Sequence, residues 1–295
     1  MAILIDFNQT VISSISVSAK AFGTDITESM IRHLVLNSIM ATRKKFKQEY
    51  GEIVICADGP NNWRKVAFPY YKANRAKDKE KQSDIDWEFV YKCLDTLFME
   101  LDGIFPYKCV KVEGAEGDDI IGTLVEYFSE NELEDHGLQE LPQRTIIISS
   151  DGDFKQLQKY PFVAQYSPMQ DKMIKEKNPN YHLFHKIIKG DRGDGVPNIR
   201  SAGDCFVMGV RQKPIKEVWI EEQFGKSPEE FDINEDIIDN FKRNQTMIDL
   251  SQTPENLKQA IITTYKKAEQ HPRSGLLSYF IKYRLSNLQS DLQFF

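Results

Sequence analysis

The sequence predicts an α/β fold: a mostly parallel central sheet with helices on both faces, followed by a smaller helical C-terminal portion. Three observations carry this expectation. Short, nearly unbroken apolar runs alternate with longer segments at helical spacing, the pattern of buried parallel strands joined by crossover helices. The strand signal fades after about residue 180. The 295 residues are 41% hydrophobic and 28% charged, an ordinary globular balance that supports one large domain or two modest ones.

The predicted strands are Ala2–Phe7, Glu52–Asp58, Tyr107–Glu113, Arg144–Asp151 and Phe162–Ser167, and the first, second and fourth are near-continuous apolar runs. Between the first two, Glu28–Tyr50 lines up Ile31, Leu34, Val35 and Ile39 on one side of a helix. Asp84–Leu101 does the same with Trp87, Val90, Tyr91, Leu94 and Leu97, and Asp118–Phe128 with Ile120, Ile121, Leu124 and Val125. Farther on, His182–Lys189, Pro214–Phe224, Pro228–Arg243, Pro254–Gln270 and Ser274–Leu288 read as helices. Pro214, Pro228 and Pro254 stand at their starts, where a missing N–H costs nothing. Residues 1–180 therefore form the α/β portion and 181–295 the helical one. With no repeat and no Gly/Ser linker, the two are expected to pack together.

Several classes fall away. No run of about 18 apolar residues exists, so no transmembrane helix is expected. Met1–Asp6 has no basic region and reaches a carboxylate at position 6, unlike a secretory signal, so a cytoplasmic protein is expected. Cys56, Cys93, Cys109 and Cys205 form no Cys-x-x-Cys pair and read as buried thiols rather than disulfides or a zinc site. The formal charge of −6 would by itself argue against a polyanion partner. Its distribution does not. Asn61–Gln82 holds seven basic residues against two acids, and Glu221–Asp239 holds eight acids against Lys226 alone. One face for a polyanion and another turned away explains this, and so do two solvated, salt-laced helical faces.

Acids mark the strand ends. Asp6 ends the first strand, Asp58 the second, and Asp151 and Asp153 the fourth; Glu116, Asp118 and Asp119 follow the third. Active sites in open parallel sheets lie beyond these carboxyl ends. Glu116 and Asp119, three apart at a helix start, share a face, as do Asp191 and Asp194. Any one pair is more simply a cap or turn. So many like charges in one cleft, however, require compensating cations. The set is all hard oxygen, with no Cys or His, which selects Mg²⁺ or Mn²⁺. Two such ions about 3.5–4 Å apart are the usual device for phosphodiester hydrolysis. Directly after Asp58, Lys72 and Arg75 are interleaved with Trp63, Phe68, Tyr70 and Tyr71. Cations among aromatics suit single-stranded nucleic acid, and this stretch should rise over the metal site.

These residues resemble the metal-dependent 5′ nucleases: flap endonucleases, the 5′ nuclease domain of bacterial DNA polymerase I and phage 5′-to-3′ exonucleases, most of all the ribonuclease H group of T-even phages. The matching segments are LIDF, ICAD, YYKANR, EGDDIIG, ISSDGDFKQL, KYPFVAQYSPM, IIKGDRGDGV and SYFIKYRLSNL, in order along nearly the whole chain. The resemblance implies that Asp6, Asp58, Glu116, Asp119 and Asp151 surround a first Mg²⁺ and that Asp153, Asp191 and Asp194 hold a second, with Asp118 beside both. It implies that Lys72 and Arg75 reach the scissile phosphate from an arch, about residues 59–85. It also implies a helical hairpin, about residues 186–210, that grips duplex DNA. On this reading Arg64, Lys65, Tyr70, Tyr71, Lys72, Arg75, Lys77, Lys189, Arg192 and Arg200 contact the nucleic acid. The hairpin departs from the family pattern: Asn198 and Arg200 stand where glycines would let backbone approach phosphate.

The implied activity is Mg²⁺-dependent 5′-to-3′ exonuclease and flap cleavage near 5′ ends of duplex DNA and RNA·DNA, leaving a 3′-hydroxyl upstream of each cut, in removal of RNA primers during phage replication. The implied partners are branched or nicked duplex DNA, RNA·DNA and a single-stranded-DNA-binding protein, and the protein is expected to be a monomer. The tail Gln289–Phe295 is expected either to dock a sliding clamp or to pack both its phenylalanines on the helical portion. Ala73–Gln82 is expected to order on binding. Two other readings stand beside this one. A haloacid-dehalogenase-type phosphatase would use Asp6 with the loop acids Asp191 and Asp194 but finds Asn8 in place of its general acid. A branched-DNA-binding protein would leave the carboxylates idle. His182 and His185, three apart, read as a helical face rather than metal ligands.

Overall fold

The computed structural model describes residues 1–22, 25–75, 85–131, 133–135, 140–231 and 235–295. Its strands are β1 (Ala2–Asp6), β2 (Glu52–Ala57), β3 (Lys108–Lys111), β4 (Leu133–Asp135), β5 (Glu140–Pro142), β6 (Thr145–Ile148), β7 (Val163–Ser167) and β8 (Lys172–Ile174). Its helices are α1 (Phe7–Phe22), α2 (Glu28–Tyr50), α3 (Trp63–Ala67), α4 (Trp87–Ile104), α5 (Gly117–Asn131), α6 (Pro179–Lys189), α7 (Glu217–Gln223), α8 (Glu235–Ile248), α9 (Glu255–Lys267), α10 (Leu276–Lys282) and α11 (Ser286–Gln289). The main sheet runs β3-β2-β1-β6-β7-β8, parallel except for the last pair. The expected α/β class is what the structure contains.

β1 is the central strand, buried along its whole length, with Ile5 beside Ile55 of β2 and Ile148 of β6. Alternate side chains enter opposite layers. Ile3, Ile5, Ile53 and Ile55 face α1, α2 and α4, whereas Ala2, Leu4, Val54 and Cys56 face α5 and α9. A third apolar cluster joins Phe68 and Tyr71 to α6, α7 and α8. The strand order reverses at β1 and β6, so the crevice for a ligand opens at the carboxyl ends of these two strands.

The five expected strands are present with ends trimmed, and all four cysteines are buried and free. Other details differ. α1 was not expected, because its apolar positions Phe7, Val11 and Ile15 are separated by Asn, Gln, Ser and Thr. Tertiary burial against β1 outweighs that weak local propensity. β8 and the β4–β5 ribbon are likewise additions. The helix expected over Pro228–Arg243 is a 3₁₀ turn, Pro228–Glu230, and then α8. The one expected over Ser274–Leu288 breaks at Arg284, whose φ of 56° no helix accommodates.

The C-terminal residues cover both faces of the sheet. α9 lies on α5 and β3, and α10, α11 and Phe295 enter the layer built by α2 and α4. Phe295 is fully buried, its ring 5.0 Å from Phe280 and 6.2 Å from Phe105, and Phe294 lies under Lys44. The tail thus packs into the core, the second of the two expectations for it. The packing is on the α/β core rather than on the helical portion alone. Phe295→Ala should cost about 3–5 kcal/mol in urea unfolding; a cost under about 1 kcal/mol would show the ring is not anchored.

One polar network ties these layers. Arg32 of α2 forks onto Glu100 of α4 at 2.8 and 2.9 Å, and Tyr279 and Tyr283 donate to the same carboxylate at 2.5 and 2.6 Å. Burial alone would raise the Glu100 carboxyl. The bonds from Tyr279, Tyr283 and Arg32 outweigh it and hold the group below its ordinary value. A depressed carboxylate contributes stability above its unfolded pKa, near 4.5, and loses it as pH falls through the folded value. Glu100→Gln should therefore lose about 2 kcal/mol at pH 7, with the deficit shrinking below pH ~4. A deficit independent of pH would point to packing instead.

Candidate active site

Each acid is placed by a local device. Asp6 ends β1 where α1 begins; its Oδ1 accepts from the Gln9 N–H at 3.2 Å and its Oδ2 from Ser149 Oγ at 3.0 Å. Asp58 leaves β2 with its N–H held by Asn8 Oδ1 at 3.1 Å and accepts from Gly117 N at 2.7 Å, which links β2 to the start of α5. Gly59 must be glycine: a Cβ there would sit 1.8 Å from the Val112 carbonyl. Asp151 caps the 3₁₀ turn Gly152–Lys159 by accepting from Asp153 N at 2.9 Å. Asp191 Oδ1 accepts from Asp194 N at 3.1 Å.

These devices bring Asp6, Asp58, Glu116, Asp118, Asp151, Asp153, Asp191 and Asp194 around one cleft of about 420 Å³. Lys72 and Arg75 share its lining, as do Asn8, Gln9, Ile12 and Ser13. Ligand oxygens of Asp153, Asp191 and Asp194 lie within 4.8 Å of one another. The donors are hard oxygens at mixed burial, which fits a divalent cation of the Mg²⁺ type.

Electrostatics divides the acids in two. Burial, and then the charge of Asp58, pushes the Asp6 carboxyl up to about 7. Burial also raises Asp58, and burial with Asp6 and Asp151 drives Asp118 well above the carboxylate range. Four of the remaining acids have cations, whereas Asp151 accepts from a backbone N–H. Lys72 Nζ is 2.6 Å from Glu116, Arg75 Nη2 is 2.5 Å from Asp194, and Lys186 Nζ contacts Asp153 and lies 2.7 Å from Asp191. Burial would raise Glu116 and Asp191, but Lys72 and Lys186 respectively bring them below their ordinary values.

Residues 70–75 and the 191–195 loop are bound together. Lys72 N donates to Asp194 O at 2.8 Å, Asn74 Nδ2 to Arg192 O at 2.8 Å and Arg75 Nε to Gly193 O at 3.0 Å. Gly195, at φ 71°, permits this approach, since its Cβ would meet Tyr70 O at 2.8 Å.

Several expectations need correction. Asp119 does not line the cleft: it is fully buried, and both its oxygens accept from protein donors. Arg64, expected on nucleic acid, is its buried ion partner. Tyr71 is also buried, and its hydroxyl donates toward Glu116 at 2.8 Å and Asp194 at 3.0 Å, so its ring is not a stacking platform. Lys189 turns inward to Ile215 O at 3.0 Å and Glu217 at 2.7 Å. Lys65, Tyr70 and Arg192 are exposed as expected, and half-buried Arg200 lies over Trp219. Lys77 and most of Ala73–Gln82 lie outside the described residues.

The expected helical hairpin is one helix, α6, followed by turns. Asn198 organises them: its Oδ1 accepts from Arg200 N at 3.1 Å and Ser201 Oγ at 2.9 Å, and its Nδ2 donates to Lys213 O at 2.7 Å. His182 and His185 bind Gly152 O and Glu217 rather than a metal cluster. Gly225-Lys226-Ser227 closes α7 and has Ile220 where a phosphate loop needs its first glycine, so it is not one. Lys186, Ser149, Asn8 and Gln9 were missed. Lys186 lies 33 residues from Asp153 along the chain, and no spacing rule joins them.

Residues 11–183 match the family model of the 5′-3′ exonuclease N-terminal resolvase-like domain, and residues 178–295 match the C-terminal model of T4 RNase H. The chain belongs to the 5′-3′ exonuclease family. It is thereby a metal-dependent 5′ nuclease. This family member is 35% identical over 301 residues to the ribonuclease H of Enterobacteria phage T4, covering 99% of this chain and 95% of that protein. It is 26% identical over 184 residues to DNA polymerase I of Pseudomonas aeruginosa, spanning 60% of this chain and 18% of that one. A bacteriophage T5 flap endonuclease, solved in a pseudo-enzyme–product complex with DNA and metal ions, shares the fold. Its TM-score is 0.59 at 14% identity, over 90% of this chain and 99% of that one. The T5 5′-exonuclease with bound zinc does so at 0.57 and 15%, over 91% and 99%.

The raised acids of this 5′-3′ exonuclease family member set a pH dependence. Between pH ~4 and ~7 the folded, metal-free protein keeps a proton on Asp6 that the unfolded chain has released, so this group's contribution falls as pH rises. In EDTA at pH 8, Asp6→Asn should be more stable than wild type by about 1–3 kcal/mol, and the advantage should shrink below pH ~7 and vanish toward pH ~4. Equal urea midpoints at pH 8 would refute the desolvation of Asp6.

Proposed function

We propose that the chain is a Mg²⁺-dependent 5′-to-3′ exonuclease and flap endonuclease acting on duplex DNA and RNA·DNA, with removal of RNA primers from lagging-strand fragments as its task in phage replication. The observation that carries this reading is the convergence of eight carboxylates on one cleft that Lys72 and Arg75 also line. The names of relatives support it: a ribonuclease H in phage T4 and a flap endonuclease bound to DNA and metal ions in phage T5.

On this reading Asp6, Asp58, Glu116, Asp118 and Asp151 hold one ion, and Asp153, Asp191 and Asp194 a second. When bound, the ions supply an activated water and neutralise charge on the phosphate and leaving oxygen. The protein's part is positioning. Ser149 and Gln9 orient Asp6, and Gly117 orients Asp58. Lys72 and Arg75 present positive charge to the scissile phosphate. Exposed Lys65, Tyr70 and Arg192, with Arg200, track the nucleic acid. The cleavage leaves a 3′-hydroxyl on the released 5′ fragment, upstream of the cut, and a 5′-phosphate on the strand that stays in the duplex. A single-stranded-DNA-binding protein is the proposed partner, and the working form is a monomer in the host cytoplasm. The phosphatase reading loses ground at Asn8, whose side-chain oxygen is committed to Asp58 N.

Cleavage of a 5′-labelled flap and a 5′-labelled RNA·DNA duplex tests this. Wild type should release short 5′ products in Mg²⁺ and none in EDTA. Asp151→Asn should lose about 10³-fold or more of the rate and Lys72→Ala about 10²-fold, with binding of the flap in Ca²⁺ retained. Tight binding without cutting in Mg²⁺ or Mn²⁺ would favour the branched-DNA-binding alternative.

A further inference from the structure

Asp119 is adjacent to the cleft residue Asp118 yet points the other way, into the protein. Its carboxylate accepts from Arg64 Nη1 at 2.9 Å and pairs with Nη2 at 2.8 Å. It also accepts from Trp63 Nε1 at 3.2 Å, Thr253 Oγ1 at 2.9 Å and the backbone N–H of Glu116 at 2.9 Å. Arg64 in turn donates through Nε to Met247 O at 3.0 Å, and its Nη1 stands 3.6 Å from Glu116 Oε2. Asp119 is fully buried and Arg64 is 2% exposed. Three stretches distant in sequence meet on this one pair: α3, the first turn of α5, and the end of α8 with the turn that follows it to Thr253.

We propose that the Arg64–Asp119 pair is a positioning element of the active site, setting the first turn of α5 and hence the aim of Glu116 and Asp118. The argument is geometric. Glu116 precedes the helix and Asp119 is its third residue, so the bond from Glu116 N to Asp119 is the return half of a capping box. That bond orients Glu116, which carries one cleft-facing carboxylate, and the turn it closes contains Asp118, which carries another. The bidentate fork of Arg64 locks the Asp119 rotamer, and neither residue lines the cleft, which they reach only through Glu116. A buried pair of this kind is frequently no more stabilising than apolar side chains of similar shape. Its contribution here is therefore orientation rather than net stability. Nearby groups that orient metal ligands typically govern metal affinity or activity by about 10–100-fold.

The inference rests on the metal-dependent nuclease reading, and two variants test it. Arg64→Lys keeps the charge and loses the fork. The double variant Arg64→Met with Asp119→Leu replaces the pair by apolar groups. Each is examined by urea unfolding, by calorimetric titration with Mn²⁺ in the absence of DNA, and by steady-state cleavage of a flap. Arg64→Lys should stay folded, bind Mn²⁺ about 10-fold more weakly and lose kcat with KM unchanged. The double variant should recover a near wild-type unfolding midpoint without recovering Mn²⁺ affinity or kcat. Folded variants with wild-type Mn²⁺ affinity and kcat would overturn the proposal, and so would a loss of stability with affinity intact. If the double variant does not fold, Arg64→Lys decides alone. Wild type that neither binds Mn²⁺ nor cleaves would sink the nuclease reading instead, so the two failures are distinguishable.

Discussion

Like charges brought together in a desolvated cleft repel, and the arrangement around this cleft answers that repulsion in three physical ways. Asp6, Asp58 and Asp118 stay high in pKa because burial and one another's charge disfavour ionisation. Glu116, Asp191 and Asp194 are instead paired with Lys72, Lys186 and Arg75. Backbone donors at helix and turn starts supply the remainder, as at Gly117 for Asp58 and Asp153 for Asp151. Such a site costs stability while it stands without cations, which is why the rest of the chain is built to hold it rigidly.

That rigidity comes from the sheet and from the long-range ties across it. β1 is flanked on both sides by parallel partners and buried on both faces, so the backbone delivering Asp6 has little freedom. The C-terminal helices then close both layers, with Phe280 and Phe295 on one face and Ile261 on the other. Residues 72–75 are tied to the 191–195 loop by backbone and side-chain bonds. A cation at Lys72 is therefore positioned by the same loop that carries Asp194.

The hairpin region solves a different problem. Where the family pattern has glycines, this chain has Asn198 and Arg200, and turns replace a second helix. Asn198 spends its side chain on Arg200, Ser201 and Lys213, so an amide holds these turns together by hydrogen bonding. From below, Arg243 and Asn244 of α8 hold the Pro197 carbonyl at 3.1 and 2.8 Å.

Much of this was legible in the sequence, because burial on both faces and strand-end carboxylates leave one-dimensional marks. The apolar runs at Ala2–Phe7, Glu52–Asp58 and Arg144–Asp151 determined the sheet, and the acids that follow them determined which edge carries the chemistry. Partnership was not legible. Asp118 and Asp119 are consecutive and chemically identical, yet one faces the cleft and the other an interior arginine, because successive helical residues point about 100° apart. Arg64 and Lys65 divide in the same way between core and solvent. α1, with its Ser- and Thr-rich surface, and the buried terminal Phe295 likewise depend on neighbours that the chain supplies only once folded. The sequence by itself determined the class of fold, the family and the inventory of charged groups. The tertiary structure alone decided which charges meet, because a pair such as Lys186 and Asp153, or Arg64 and Asp119, is separated along the chain by far more than any local periodicity spans.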